Sequence, residues 1–198
     1  MINLAVIRDH VVSMLDKELP SILSYHNVDH TLDVTSQCLA IAKEEGIEDE
    51  HLLMTLQVAA LYHDTGFIHI YHGHEKKGCE IAREQLPLFN INEQVIVDVC
   101  GLIMATKVPQ LPNTYLQSII CDADLDYLGR EDFFERGDNL RRELLEYKLI
   151  NSNHDWEERQ LDFLQSHSYF TKTSFKKRNP VKMKFINQLM QNRREQMR

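Results

Sequence analysis

Apolar residues along this chain recur at spacings of three and four, and no stretch keeps up the strict alternation of a half-buried strand, so the pattern predicts an all-α protein. Leu4, Ile7, Val11, Leu15 and Leu19 trace one face of a first helix that Pro20 stops. Val34, Cys38, Ile41 and Ala42 trace a second, ended by Gly46. On a third, Leu52, Leu56, Ala59, Ala60 and His63 share a face, which sets His63 and Asp64 at its C-terminal end, looking inward. The stretch TGFIHIYHGH then leads to a short helix from about Glu75 to Leu86, closed by Pro87. A fifth helix is capped by Asn92, carries Glu93 in its first turn and runs through Val95, Val99, Leu102 and Ile103 toward Thr106, with Pro109 and Pro112 breaking the chain beyond it. In a sixth, Leu116, Ile120 and Asp124 stand at spacing four, so Asp124 shares the apolar face. Two more helices follow around Phe133 to Leu149 and Trp156 to Ser168, and Pro180 is expected to open a last one with Val181, Ile186 and Leu189.

With 198 residues, 43% of them hydrophobic, the chain can bury one sizeable core, and no internal repeat or low-complexity linker divides it. The expectation is one domain over residues 1–198, with its chemistry-bearing motifs in 25–129 and a helical extension over 130–198. Cys38, Cys79, Cys100 and Cys121 are scattered singly, with no CxxC pair, and read as reduced core thiols. Arg8, Asp9 and His10 interrupt the N-terminal apolar run, and no segment approaches the roughly 20 apolar residues of a membrane span, so a cytoplasmic protein without a membrane partner is expected. A net charge of -8 argues against a long nucleic acid as partner. Positive charge gathers from Lys172 through Lys176, Lys177, Arg178, Lys182 and Lys184 to Arg193 and Arg194, which reads as a solvated helix face and tail. Apolar positions in that last helix leave room for a homo-oligomer.

The polar residues on apolar faces change the picture. His30, His63, Asp64 and Asp124 all point inward, and burying unpaired imidazoles and carboxylates is costly. A divalent metal ion, drawn from Mn, Mg, Fe, Co, Ni or Zn and bound as one or two per chain, would explain them together, because a mixed nitrogen and oxygen shell suits such ions and leaves positions for water and substrate. In YHNVDHTLDV, His26 and His30 stand four residues apart, beside Asp29 and Asp33.

The order of these residues, H…HD…D, resembles the HD-domain phosphohydrolase superfamily, over roughly Tyr25 to Gly129. The resemblance implies a helical fold and carries the metal ligands onto His30, His63, Asp64 and Asp124; Asp122 competes for the last place, and Asp124 is preferred because it follows Ala123. YHNVDHTLDV is similar to the signature of class I cyclic-nucleotide phosphodiesterases, which implies that His26 donates a proton and His30 binds the metal. LIMAT (102–106) and CDADL (121–125) also resemble phosphodiesterase segments. Two departures stand out: Phe67 occupies the place of a further histidine, and no glutamine with an aromatic clamp for a purine can be placed near the C-terminus. A smaller group of bacterial predicted HD phosphohydrolases shares YHN..H, the HD pair, a Glu-containing helix start at His74-Glu75, I..AT and DADL..LG.

What the resemblance implies is a metal-dependent phosphohydrolase, cleaving a phosphomonoester or phosphodiester of a small nucleotide-like substrate with a metal-activated water. His26 would be the general acid, His74 or Glu75 would serve a second ion or orient the water, and Lys107 would meet a substrate phosphate. Glu75 also suits a helix start on dipole grounds alone, Lys107 suits a helix end, and His69 and His72 read as exposed loop histidines. Two further functions fit the scaffold: a nucleotide-sensing module that keeps its metal for stability, and an HD-type di-iron oxygenase, for which Ala105 and Thr106 stand where a second-site histidine would be expected.

Overall fold

The computed structural model describes residues 3–196 and is all-α, with nine α-helices among them. Local chemistry sets the helix ends. Asn3 caps α1 (Leu4–Glu18) by accepting from the Ala5 and Val6 amides, and Asn27 caps α2 (Val28–Glu44) by accepting from the His30 amide. The asparagine of the YHN stretch thereby fixes His30 in the first turn of α2. Gly46, at φ 79°, follows α2 in the left-handed conformation that a chain reversal after a helix uses. Asp49 caps α3 (Glu50–Tyr62), which is buried along most of its length, Asn92 caps α5 (Glu93–Ala105), and Thr114 forms a capping box with Gln117 at α6 (Tyr115–Asp124).

α3 is the axis of the main core, flanked by α1, α2, α5 and α6, with α4 (His74–Gln85) behind. Ile7, Val11, Val34, Leu56, Val99 and Ile120 are among the side chains enclosed there, and the four cysteines are buried as free thiols. A tight turn over Thr65–Ile68 joins α3 to the loop before α4. It passes so close to α4 that a Cβ on Gly66 would sit 1.9 Å from the His74 carbonyl oxygen, so only glycine lets the HD pair and His74 approach each other.

α7 (Phe133–Glu146), α8 (Asn153–Ser166) and α9 (Lys172–Gln196) build a second layer over the turn Asp126–Gly129, with Tyr25, Leu128, Phe133, Leu164 and Ile186 in its core. The last helix departs from the expectation. It starts at Lys172, eight residues before Pro180, which lies inside it. The reason is Asp122, whose carboxylate accepts from the Phe170 amide (2.9 Å), the Thr171 amide (2.8 Å) and the Thr171 hydroxyl (2.7 Å), fixing the chain at the point where α9 begins. Pro180 is tolerated because it is exposed, so water can reach the carbonyl that it leaves without an N–H. Nor is the basic stretch wholly solvated: Arg178 Nε donates to Asp126 at 2.7 Å, Lys177 pairs with Glu44, and Lys182 is buried with its ammonium on the His167 carbonyl.

Candidate metal centre and active site

Three helix ends meet at one point. The first turn of α2 brings His30, the C-terminus of α3 brings His63 and Asp64, and the last residue of α6 is Asp124. α3 and α6 both direct their C-terminal carbonyl ends here, and the partial negative charge of those ends favours a cation. His30, His63 and Asp124 each offer a ligand atom within 4.8 Å of the others. His30 Nε2 lies 3.4 Å from Asp64 Oδ2 and 3.3 Å from Asp124 Oδ1, and His63 Nε2 lies 3.2 Å and 3.6 Å from the same two atoms.

These separations bear on what the cluster could hold. A charge-assisted N–H···O bond closes to about 2.7–2.9 Å, whereas ligand atoms bonded at roughly 2.0–2.2 Å to a shared ion stand about 3.0–3.5 Å apart. Three of the four distances fall in the second range and the fourth, 3.6 Å, lies just beyond it, while none is short enough for the first. His30 Nε2, His63 Nε2 and Asp64 Oδ2 are buried and make no hydrogen bond among the described residues, a costly state that a cation at their centre would relieve. His63 Nδ1 donates to the Ala60 carbonyl at 2.7 Å, so its Nε2 lone pair is free for an ion. The residues therefore fit a divalent metal.

Electrostatics agree. Burial alone would hold His30 and His63 neutral, but the Asp124 and Asp64 carboxylates outweigh it and raise both imidazoles above the usual histidine value. Burial likewise opposes ionisation of Asp64 and Asp124, and the two imidazoles overcome it, holding both carboxyls below the usual range. The cluster thus retains two carboxylates and attracts positive charge, for which protons and a cation compete.

Asp124 therefore faces the histidines, while its competitor Asp122 points away to the start of α9. His74 stands at the edge: its Nδ1 donates to the Tyr71 carbonyl (3.0 Å), and its Nε2 lies 3.6 Å from Asp64 Oδ1 and 3.8 Å from Glu75 Oε1. Asp64 thus turns one oxygen to the first histidine pair and the other to His74. Phe67, in the place of the further histidine, stacks on both His26 (4.2 Å) and His74 (3.8 Å), whose rings lie 6.2 Å apart.

His26 is held by a residue that the sequence reading missed. Glu143 of α7, fully buried, accepts from the His26 ring Nδ1 (2.5 Å), the His26 and Tyr25 amides (3.0 and 2.9 Å) and the Tyr71 hydroxyl (2.9 Å). With Nδ1 committed, the other ring nitrogen, Nε2, is the one left for chemistry. Burial pushes the Glu143 carboxyl up, but the His26 side chain and the two amides prevail and hold it below the ordinary glutamate value. The sequence signal is weak: Glu143 follows Leu140 by three residues and so falls on the inward face of α7, but it is one acid among several on that helix.

His26, Asp64, His74, Glu75 and Asp124 open onto one cavity of about 590 Å³, which continues between α7 and α8. Glu75 is buried in the wall, whereas Lys107 and His72 are exposed at the rim. His69 lies on the surface, as expected. The far wall is apolar, with Leu140, Leu144, Trp156 and Phe163, and α8 adds Arg159 and Gln160 there.

The comparisons with known proteins agree with this geometry. The HD domain family profile matches residues 27–125. A crystal structure of a predicted HD superfamily hydrolase from an uncultured Thermotogales bacterium is 20% identical, with a TM-score of 0.61, over 98% of this chain and 93% of that one. The structure of Bacillus subtilis YpgQ in complex with ADP is 18% identical, with a TM-score of 0.62, over 95% of each chain. At such identities both show a shared fold. None of the curated proteins matches in sequence. No helix among the described residues is long and apolar enough to cross a membrane. Half of the chain matches the family, and His30, His63, Asp64 and Asp124 all lie within the matched part: this chain belongs to the HD-domain family.

Proposed function

We propose that the protein is a metal-dependent phosphohydrolase acting on the phosphoester of a small nucleotide-like substrate. The observation that carries this is the convergence of His30, His63 and Asp124, with Asp64 beside them, where His30 Nε2, His63 Nε2 and Asp64 Oδ2 are buried without a hydrogen-bond partner and Asp64 and Asp124 open onto the cavity that His26 also lines. A divalent ion held by those four residues would supply a water of lowered pKa and polarise a phosphoryl oxygen. His26, aimed by Glu143, is the proton donor to the departing oxygen, through its free ring nitrogen. Phe67 and Tyr71 fix the plane of that ring. His74, beside Asp64 Oδ1, and Glu75, beside His74, either orient the water or complete a second cation seat, and Lys107 at the rim meets a substrate phosphate.

Several features favour a nucleotide over a simple phosphate ester. The cavity has room for one, its far wall offers Trp156 and Phe163 to a planar ring, and YpgQ, of the same fold, has been crystallised with ADP. The test is turnover of mono-, di-, tri- and cyclic nucleotides by protein loaded in turn with Mn, Mg, Co or Ni. Phosphate, pyrophosphate or nucleotide product is expected with at least one pairing, and His26→Ala should abolish it with metal content unchanged. A loaded protein that turns over none of them, yet binds nucleotide, would establish the sensing module instead.

A further inference from the structure

Each carboxylate of the centre divides its two oxygens. Asp64 turns Oδ2 to the imidazoles and Oδ1 to His74. Asp124 turns Oδ1 to the imidazoles, and its Oδ2 accepts from the side-chain amide of Gln110 at 3.3 Å. Gln110 belongs to the segment between α5 and α6, where Val108 and Leu111 are 53% and 76% exposed, yet its own side chain turns inward and its Oε1 is buried without a hydrogen-bond partner. The opposite amide orientation would set an oxygen against the Asp124 carboxylate, so the charge on Asp124 dictates that the donor faces it. A loop residue that accepts an unpaired buried oxygen in order to bring a donor to one carboxylate oxygen is placed for that carboxylate.

We propose that Gln110 is a positioning residue for the cation site: by holding Asp124 Oδ2 it presents Oδ1 as the single ligand atom and ties the cavity-mouth loop to metal occupancy. The inference rests on the metal-site reading above and goes beyond it. Thr106, Lys107 and Val108 of the same segment line the substrate cavity. Fixing Asp124 therefore also fixes the loop that carries them, and the coupling is reciprocal: an ion that orders Asp124 orders the loop, and a loosened loop weakens the ion.

The experiment is calorimetric titration of the metal-free full chain with Mn²⁺, on the parent, Gln110→Ala, Gln110→Leu and Leu111→Ala. Leucine fills the volume of glutamine without its donor, and Leu111 perturbs the same loop without touching Asp124. Both Gln110 variants are expected to bind Mn²⁺ about 10–100-fold more weakly, as for the loss of other partners of metal ligands, while Leu111→Ala matches the parent. Hydrogen exchange over residues 107–113 should slow on adding Mn²⁺ to the parent and stay unchanged in Gln110→Leu. Gln110→Leu binding as tightly as the parent, or parental exchange indifferent to Mn²⁺, overturns the proposal and leaves the metal site standing. A parent that binds no Mn²⁺, Co²⁺ or Zn²⁺ overturns both.

Discussion

Replacing Glu143 with glutamine tests the arrangement around His26 most directly. The carboxylate serves four donors, two on each oxygen: Oε2 takes the Tyr25 and His26 amides, and Oε1 takes the His26 ring and the Tyr71 hydroxyl. An amide keeps only one oxygen: turned toward the Tyr25 and His26 amides, it leaves its NH₂ group against the His26 ring and the Tyr71 hydroxyl, which must give up donating, and turned the other way it sets NH₂ against two backbone N–H groups. Two hydrogen bonds to a buried charge are lost, each contributing roughly 1.5–3 kcal/mol, and local relaxation leaves a net loss of about 2–4 kcal/mol. For a chain of this length that lowers Tm by about 5–15 °C, which leaves the variant folded at 25 °C.

Activity should fall further than stability. Loss of the carboxylate that orients a catalytic imidazole costs about 10²–10⁴-fold in kcat. The pH dependence of stability supplies a separate check. Glu143 titrates below its ordinary value when folded, so its contribution is whole above the unfolded value of about 4.3 and is lost as pH falls through the folded one. Parent and Glu143→Gln melting temperatures should therefore differ most near neutrality and converge below about pH 4. The assay is steady-state turnover of the best substrate from the nucleotide panel at saturating metal, alongside calorimetric melts from pH 3 to 8. A kcat within about threefold of the parent would refute the role assigned to Glu143.

Three further outcomes are expected. Mn²⁺ at about 100 times its Kd should stabilise the chain by about 2.7 kcal/mol and raise Tm by roughly 5–10 °C, chelator should reverse the rise, and His63→Ala should abolish it. Asp122→Ala removes the acceptor of three donors at the start of α9 and should cost about 2–4 kcal/mol in urea unfolding while leaving Mn²⁺ affinity unchanged; weakened affinity would mean that Asp122 belongs to the centre. Burial, with Lys182 beside it, lowers His167 to about 4, so unfolded chains take up that proton first and stability erodes as pH falls from about 6.5 toward that value. His167→Phe should show a flatter loss over that window, and an equally steep one would remove His167 as the cause.

Legibility in the sequence tracked the range over which each residue's neighbours are fixed. The Asn92 cap and the inward face of α3 depend on residues within one or two turns, and capping preference and periodicity make them legible. The expectation that His30, His63, Asp64 and Asp124 share one centre rests on their inward positions together with the family resemblance that their order carries, which also favours Asp124 over Asp122. Pro180 misled because its rule is local, whereas the Asp122 hydrogen bonds that start α9 reach across 48 and 49 residues. Glu143 lies 117 residues from His26 and reads as one more acid on a charged helix, and Gln110 sits in a proline-rich loop that has no period.

That division has a functional consequence. The family match ends at residue 125, and all four proposed ligands and His26 or its immediate neighbours lie within or beside it. The residues that aim His26 and build the far wall of the cavity, Glu143, Trp156, Gln160 and Phe163, all come from the helices beyond. On this reading the reaction is set by the shared segment, and the choice of substrate by α7 and α8. Trp156→Ala and Gln160→Ala should accordingly raise KM for a nucleotide while sparing turnover of a small aryl phosphate that does not reach the far wall. Equal losses on both substrates would place those side chains in support of the fold and not in recognition, and the separation between a common centre and a private pocket would not hold.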